Sequence, residues 1–88
     1  MNFNYFYVLR SKDKDRYYLG ITSDLEARLS DHNSGRNKST KWSKWEIVYF
    51  EAYLSKKYAQ YRENKVKHSG SMWGSLLKRI KKSLEKRI

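Results

Sequence analysis

Phe3, Tyr5, Tyr7 and Leu9 alternate with Phe6 and Val8, so residues 3–10 are apolar on both sides of an extended backbone, as in a central strand. The polar stretch Ser11 to Asp15 separates this run from Tyr17-Tyr18-Leu19-Gly20-Ile21, a second short aromatic strand. The two read as a hairpin whose loop is too long for a two-residue turn. Thr22 and Ser23 are candidate N-caps of a helix over residues 24–33, with Asp24 and Glu26 in its first turn and Asn33-Ser34-Gly35 as the stop. Residues 34–44 are polar, basic and aperiodic, and read as an exposed loop. Ile47, Val48, Tyr49 and Phe50 mark a third strand over residues 46–53. Ser55 caps a helix over residues 56–67 that Ser69-Gly70 ends, and a last helix runs from Met72 to the C-terminus. In that helix Trp73, Leu76, Leu77, Ile80 and Leu84 recur at three- and four-residue steps, while Lys78, Arg79, Lys81, Lys82 and Lys86 occupy the other face. The pattern predicts an α/β (α+β) fold of order β-β-α-β-α-α, a three-stranded antiparallel sheet flanked by helices. It is expected to form one domain over residues 1–88, with a core at about 4–70 and a basic amphipathic helix at about 72–88.

Composition narrows the class. At 88 residues the chain has room for one modest core, and 39% hydrophobic with 16% aromatic content argues against disorder. The formal net charge of +11 favours an anionic partner, nucleic acid before a membrane surface. Residues 1–40 hold seven of the Lys and Arg against five of the Asp and Glu, residues 41–88 thirteen against four, so the second half is the more cationic. With no Cys, disulfide scaffolds and thiolate metal sites are excluded, and a reducing cytoplasm fits. The N-terminal run reads as a strand and not a signal peptide, and no membrane span is expected.

Four polar features sit where packing alone would not place them. Leu25, Arg28, Leu29 and His32 fall at i, i+3, i+4 and i+7, so a guanidinium and an imidazole share the stripe whose leucines face the core. Burying an unpaired charge is costly, so Arg28 is either ion-paired or kept for an anionic ligand. His32 by itself reads as a hydrogen-bonded core group, and only its spacing from Arg28 raises it. Glu63 lies among Lys56, Lys57, Arg62, Lys65 and Lys67. It is either a surface ion-pair partner or a carboxylate ligand for a hard divalent cation. Tyr7 and Tyr18 lie on the two arms of the hairpin, where cross-strand packing competes with a phenol that positions or deprotonates a water.

Together these residues resemble the GIY-YIG endonuclease domain, most closely its small stand-alone branch of UPF0213-like proteins. Phe6-Tyr7-Val8 and Tyr18-Leu19-Gly20 stand for the two name-giving motifs, eleven residues apart from Tyr to Tyr. Arg28 follows ten residues later within Asp24-Leu25-Glu26-Ala27-Arg28-Leu29-Ser30-Asp31-His32-Asn33, similar to the family's helix motif, and Arg62-Glu63-Asn64 is similar to the segment that carries its metal-binding Glu. The first motif lacks its Gly, Leu19 replaces the usual Ile of the second, and a late Asn seen in some members has no clear counterpart. The resemblance implies metal-dependent hydrolysis of DNA phosphodiester bonds with Mg²⁺ or Mn²⁺. Glu63 would hold the metal, Arg28 would clamp the phosphate, and Tyr7 would activate or orient the attacking water. Tyr18 and His32 would hydrogen-bond to that water or to the phosphate, and Gly20 would allow close approach at the site.

Arg36, Lys38, Lys41, Trp42 and Lys44 in the basic loop, with the basic face of the last helix, would then contact backbone phosphates, giving affinity without sequence choice. Branched or nicked DNA is a candidate substrate, and no small-molecule cofactor is expected. The rival reading is a non-catalytic nucleic-acid-binding module of the same fold, acting through charge and an exposed Trp42 or Trp45. A third makes the last helix a membrane-surface or partner-binding helix.

Overall fold

A computed structural model describes residues 2–13, 15–38 and 40–87. Met1, Lys14 of the hairpin loop, Ser39 of the basic loop, and the C-terminal Ile88 to which the last helix is expected to run lie outside the described residues. The elements are β1 (Asn4–Ser11), β2 (Tyr17–Thr22), α1 (Leu25–Asn33), β3 (Trp45–Tyr53), α2 (Lys56–Lys67) and α3 (Gly70–Glu85), in the expected order. The sheet is antiparallel throughout, with strand order β2-β1-β3, so the doubly apolar first strand is the central one.

Alternation along β1 divides the core in two. Phe6 and Val8 face Val66 of α2 and Leu76 and Ile80 of α3. Tyr7 and Leu9 face the other way, with Trp45 and, from α1, Leu25 and Leu29 packed around them. The sheet is thus covered by α1 on one face and by α2 and α3 on the other. Phe6, in place of a Gly in the first motif, is completely buried and fills the larger cluster.

The register of β1 against β3 slips between Val8 and Leu9: Val8 pairs with Tyr49 and Leu9 with Ile47. Side chains alternate at every residue, so one extra residue in β3 exchanges its two faces beyond the bulge. Phe50 opposes Tyr7, and past the slip Ile47 and Trp45 share the Leu9 cluster.

Three helix boundaries differ from expectation, one of them at the end of the last helix, which stops at Glu85 with Lys86 as its cap and does not run on to the C-terminus. The N-cap of α1 is Asp24, whose Oδ1 accepts from the Ala27 N–H at 3.1 Å; Thr22 ends β2, and its hydroxyl accepts from the Asp24 N–H at 3.1 Å. Ser69 does not stop α2 but starts α3, accepting from the Met72 N–H at 3.3 Å, with Gly70 as the first helical residue. The preceding helix closes at His68, whose N–H returns to Asn64.

An ion-paired latch holds α2 to β3. Both carboxylate oxygens of Glu51 accept from Arg62, at 2.8 Å each, and the hydroxyls of Tyr49 and Tyr53 donate to the same carboxylate. Burial opposes the charge on Glu51, but the bonds from Arg62, Tyr49 and Tyr53 overcome it and hold its pKa down at about 2.

Candidate active site

Tyr7, Tyr18, Arg28 and His32 come together on the α1 side of the sheet. Tyr7 is 1% exposed, and its hydroxyl lies 3.3 Å from Arg28 Nε and 3.1 Å from His32 Nε2. The one-turn spacing of Arg28 and His32 on α1 brings both to this single oxygen. Tyr18 does not stand opposite Tyr7. The register pairs Tyr7 with Gly20 and Tyr18 with Leu9, so the tyrosines are diagonal neighbours with ring centroids 6.5 Å apart. Tyr18 instead packs edge-on against the His32 ring at 4.7 Å.

Gly20 makes room for this arrangement. A Cβ at that position would lie 2.5 Å from the Tyr7 hydroxyl oxygen and 2.7 Å from Cζ, so the Tyr7 ring occupies the space a side chain would fill. The close approach at the second motif is therefore made by Tyr7 itself.

His32 is completely buried and bonded at both ring nitrogens, Nε2 to Tyr7 and Nδ1 to Thr40 Oγ1 at 2.7 Å. Burial, reinforced by the positive charge of Arg28, lowers its pKa from the usual 6.5, so the ring is neutral at pH 7. Burial raises the pKa of Tyr7, and the hydrogen bond and charge of Arg28 oppose that rise. Arg28, conversely, is held charged chiefly by its bond to Tyr7.

Glu63 lies on α2, and its negative charge adds to the burial that raises the Tyr7 pKa. Its side chain is 17% exposed, and among the described residues its ion-pair partner is Lys67 at 3.8 Å. That contact is too long to saturate a carboxylate, which leaves a hard oxygen donor of the type a divalent cation takes. Among the described residues no group of three or more His, Asp or Glu gathers as a metal cage.

Beside Arg28 a cleft of about 360 Å³ opens between the end of β2 and the start of α2, lined by Asn4, Ile21, Thr22, Ser23, Arg28 and Lys56. Two of its six lining residues are cations.

The basic loop is less free than its composition suggests. Thr40 is 2% exposed, and its carbonyl accepts from the indole N–H of Trp45 at 2.8 Å. Trp45 is buried and forms part of the core, so it is not an exposed stacking residue. Its backbone is gripped by the Asn33 amide, which accepts from the Trp45 N–H at 2.7 Å and donates to the Trp45 carbonyl at 3.1 Å. Of the predicted phosphate contacts, Arg36 is ion-paired with Asp31 at 2.8 Å and Lys44 donates to the Asn33 carbonyl at 3.2 Å. Lys38 is exposed, and Lys41 stands over the ring of Trp42, itself 75% exposed.

Thr40, Lys56 and the Asn33–Trp45 clamp are site features that the sequence pattern does not single out. Asn33 carries a signal only as a helix terminator, and a threonine in a polar loop carries none.

The model of the GIY-YIG catalytic domain matches residues 3–73, from the start of the sheet into the first turn of α3. The chain belongs to the GIY-YIG family. Two of its relatives are UPF0213 proteins. The one from Clostridium perfringens strain 13 is 38% identical over 66 residues, covering 73% of this chain and 70% of its own length. The one from Staphylococcus haemolyticus is 37% identical over 68 residues, covering 73% and 79%. The solution NMR structure of a UPF0213 protein from Bacillus halodurans superposes with a TM-score of 0.52 at 34% identity, covering 89% of this chain and 84% of that one. GIY-YIG domains are nuclease domains, and the chain is a GIY-YIG domain of the UPF0213 type with nucleic acid as the family-level substrate. No helix among the described residues is long and apolar enough to cross a membrane.

Proposed function

We propose that this GIY-YIG domain is a metal-dependent endonuclease that hydrolyses DNA phosphodiester bonds with little sequence preference. The observation that carries the reading is the Tyr7 hydroxyl, held in a buried pocket between a guanidinium at 3.3 Å and a neutral imidazole at 3.1 Å. The phenol has a proton acceptor on one side and a fixed cation on the other, and these offset in part the burial that holds its pKa above the usual 10. His32 takes the proton, and Arg28 stabilises the phenolate that remains.

Arg28 reaches the cleft that Lys56 shares. A phosphate entering that cleft would meet the two cations, with the Arg28 fork on non-bridging oxygens as charge builds during attack. Tyr7 lies immediately behind and would orient or deprotonate the attacking water. Tyr18 keeps the His32 ring in place by edge contact. Glu63 would hold a hard divalent cation, Mg²⁺ or Mn²⁺, which when bound neutralises charge on the scissile phosphate and leaving oxygen. Lys38, Lys41 and Trp42, with Arg36 and Lys44 more tightly engaged, would hold flanking phosphates. Such contacts give affinity and little choice of sequence. A cytoplasmic location accords with a chain free of cysteine.

The test is cleavage of plasmid, single-stranded and branched DNA with Mg²⁺ or Mn²⁺ by the wild type, Arg28→Ala and Glu63→Ala. Each variant is expected to lose about 10²-fold or more in rate while still binding DNA, by the usual scale of transition-state charge stabilisation. Salt-sensitive binding with no metal-dependent cleavage of any substrate by the wild type would instead establish a binding module.

A further inference from the structure

We propose that Thr40 is a positioning residue that selects the His32 tautomer able to accept the Tyr7 proton; the inference rests on the nuclease reading for its effect on rate, but not for its effect on the imidazole. Three groups meet at the Tyr7 oxygen or next to it, and each hydrogen can be assigned a place. Arg28 can only donate, so its Nε–H fills a lone pair of the Tyr7 oxygen. The Tyr7 hydrogen then needs an acceptor. Among the described residues the partner within reach is His32 Nε2, and no buried side-chain nitrogen or oxygen is left without a hydrogen-bond partner. Nε2 must therefore be bare, and the ring hydrogen must sit on Nδ1.

Nδ1–H faces Thr40 Oγ1 at 2.7 Å. A threonine hydroxyl could donate or accept there, but its own hydrogen has another acceptor, the Asn37 carbonyl at 3.4 Å. The hydroxyl thus donates to Asn37 and accepts from His32, which locks the hydrogen on Nδ1. Thr40 is itself held from behind, its carbonyl bonded to the Trp45 indole and Trp45 clamped by Asn33. The relay runs from a fixed loop carbonyl through Thr40 and His32 to Tyr7. The only bonds that change in it are the Tyr7 O–H, which breaks, and the His32 Nε2–H, which forms. When Tyr7 ionises, its proton moves to Nε2, the imidazole becomes imidazolium with Nδ1–H still on Thr40, and the phenolate faces Arg28.

The opposite tautomer would put a hydrogen on Nε2 aimed at the Tyr7 oxygen, leaving that phenol with two donors and nowhere to send its own proton. A histidine held in the wrong tautomer loses general-base function even when its position is unchanged.

The experiment is long-range ¹H–¹⁵N correlation of the His32 ring at neutral pH in the wild type, Thr40→Val and Thr40→Ser, with DNA binding and cleavage rates measured on the same samples. Nδ1–H is expected in the wild type. Thr40→Val, of similar shape but without an acceptor, is expected to shift the ring toward Nε2–H and slow cleavage by about 10²-fold at unchanged DNA affinity, the scale of a lost general base. Thr40→Ser is expected to restore both, which a merely space-filling role for Thr40 would not require. If Thr40→Val does not fold, Thr40→Cys, whose sulfur is a weak acceptor, takes its place. Nε2–H in the wild type, or a ring spectrum that Thr40→Val or Thr40→Cys leaves unchanged, overturns the proposal. A wild type that cleaves no DNA would refute the nuclease reading alone, because the ring spectra still decide whether Thr40 sets the tautomer.

Discussion

Gly20 has no side chain, and the volume that leaves is taken by the Tyr7 ring. The strain a substitution causes there is steric, since an added Cβ would lie 2.5 Å from the phenol oxygen. Tyr7 is enclosed on every side and cannot swing away without leaving Arg28 and His32. Gly20→Ala is therefore expected to destabilise the fold by about 1–3 kcal/mol, the cost of overpacking a filled core. It should also reduce cleavage by about 10²-fold through displacement of the phenol from its proton acceptor. Denaturant unfolding and cleavage rates check the two effects separately; a variant as active and as stable as the wild type would show that Tyr7 has freedom the packing denies it. The second motif's Gly thus serves the first motif's Tyr, a dependence between residues thirteen positions apart in the sequence.

At the level of elements, α2 carries both Glu63 and Arg62, and Arg62 fixes the helix to β3 through Glu51. The latch has a definite pH dependence. The Glu51 pKa falls from an ordinary 4.5 to about 2 in the folded chain, so its contribution is fully present above about 4.5 and is lost as pH falls from there toward 2. A shift of that size corresponds to a contribution on the order of 3 kcal/mol. Glu51→Gln is expected to lower stability at pH 7 and to flatten its decline between pH 5 and about 2, as read from urea unfolding across that range. An unchanged acid limb would mean that Glu51 is not the group being titrated. Arg62 and Glu63 are adjacent on α2, so the latch that fixes Arg62 to β3 also limits how far Glu63 can move along the sheet.

For the molecule as a whole, a net charge of +11 makes salt-dependent binding to nucleic acid the expectation, and the structure decides which cations are available to it. Arg36 and Lys44 already have protein partners, at 2.8 and 3.2 Å, whereas Lys38 is exposed. Lys38→Ala is expected to lower the slope of log affinity against log salt by about 1, equally for unrelated DNA sequences. Lys44→Ala should change it less. Binding titrations from low to physiological salt decide the matter, and equal slopes for the wild type and Lys38→Ala would remove Lys38 from the phosphate contacts.

The order of the elements was legible in the sequence because each rests on local spacing. Period-two runs made the strands, i, i+3, i+4 steps made the helices, and the doubly apolar run at residues 3–10 named the central strand. The inward stripe of α1 was legible for the same reason, and it already placed Arg28 and His32 on one face. Tertiary structure decided the rest. The slip between Val8 and Leu9 exchanges the faces of β3 and turns Trp45 inward toward Thr40; a one-residue bulge leaves no mark in an alternating pattern whose two faces are both apolar. The burial of Thr40, the diagonal placement of Tyr18 and the meeting of Arg28 and His32 at the Tyr7 hydroxyl depend on strand register and on how α1 packs against the sheet. Local periodicity determines which way a residue points within its own element. Which residues meet is a property of how separate elements are brought together, and the site at Tyr7 is built from such meetings.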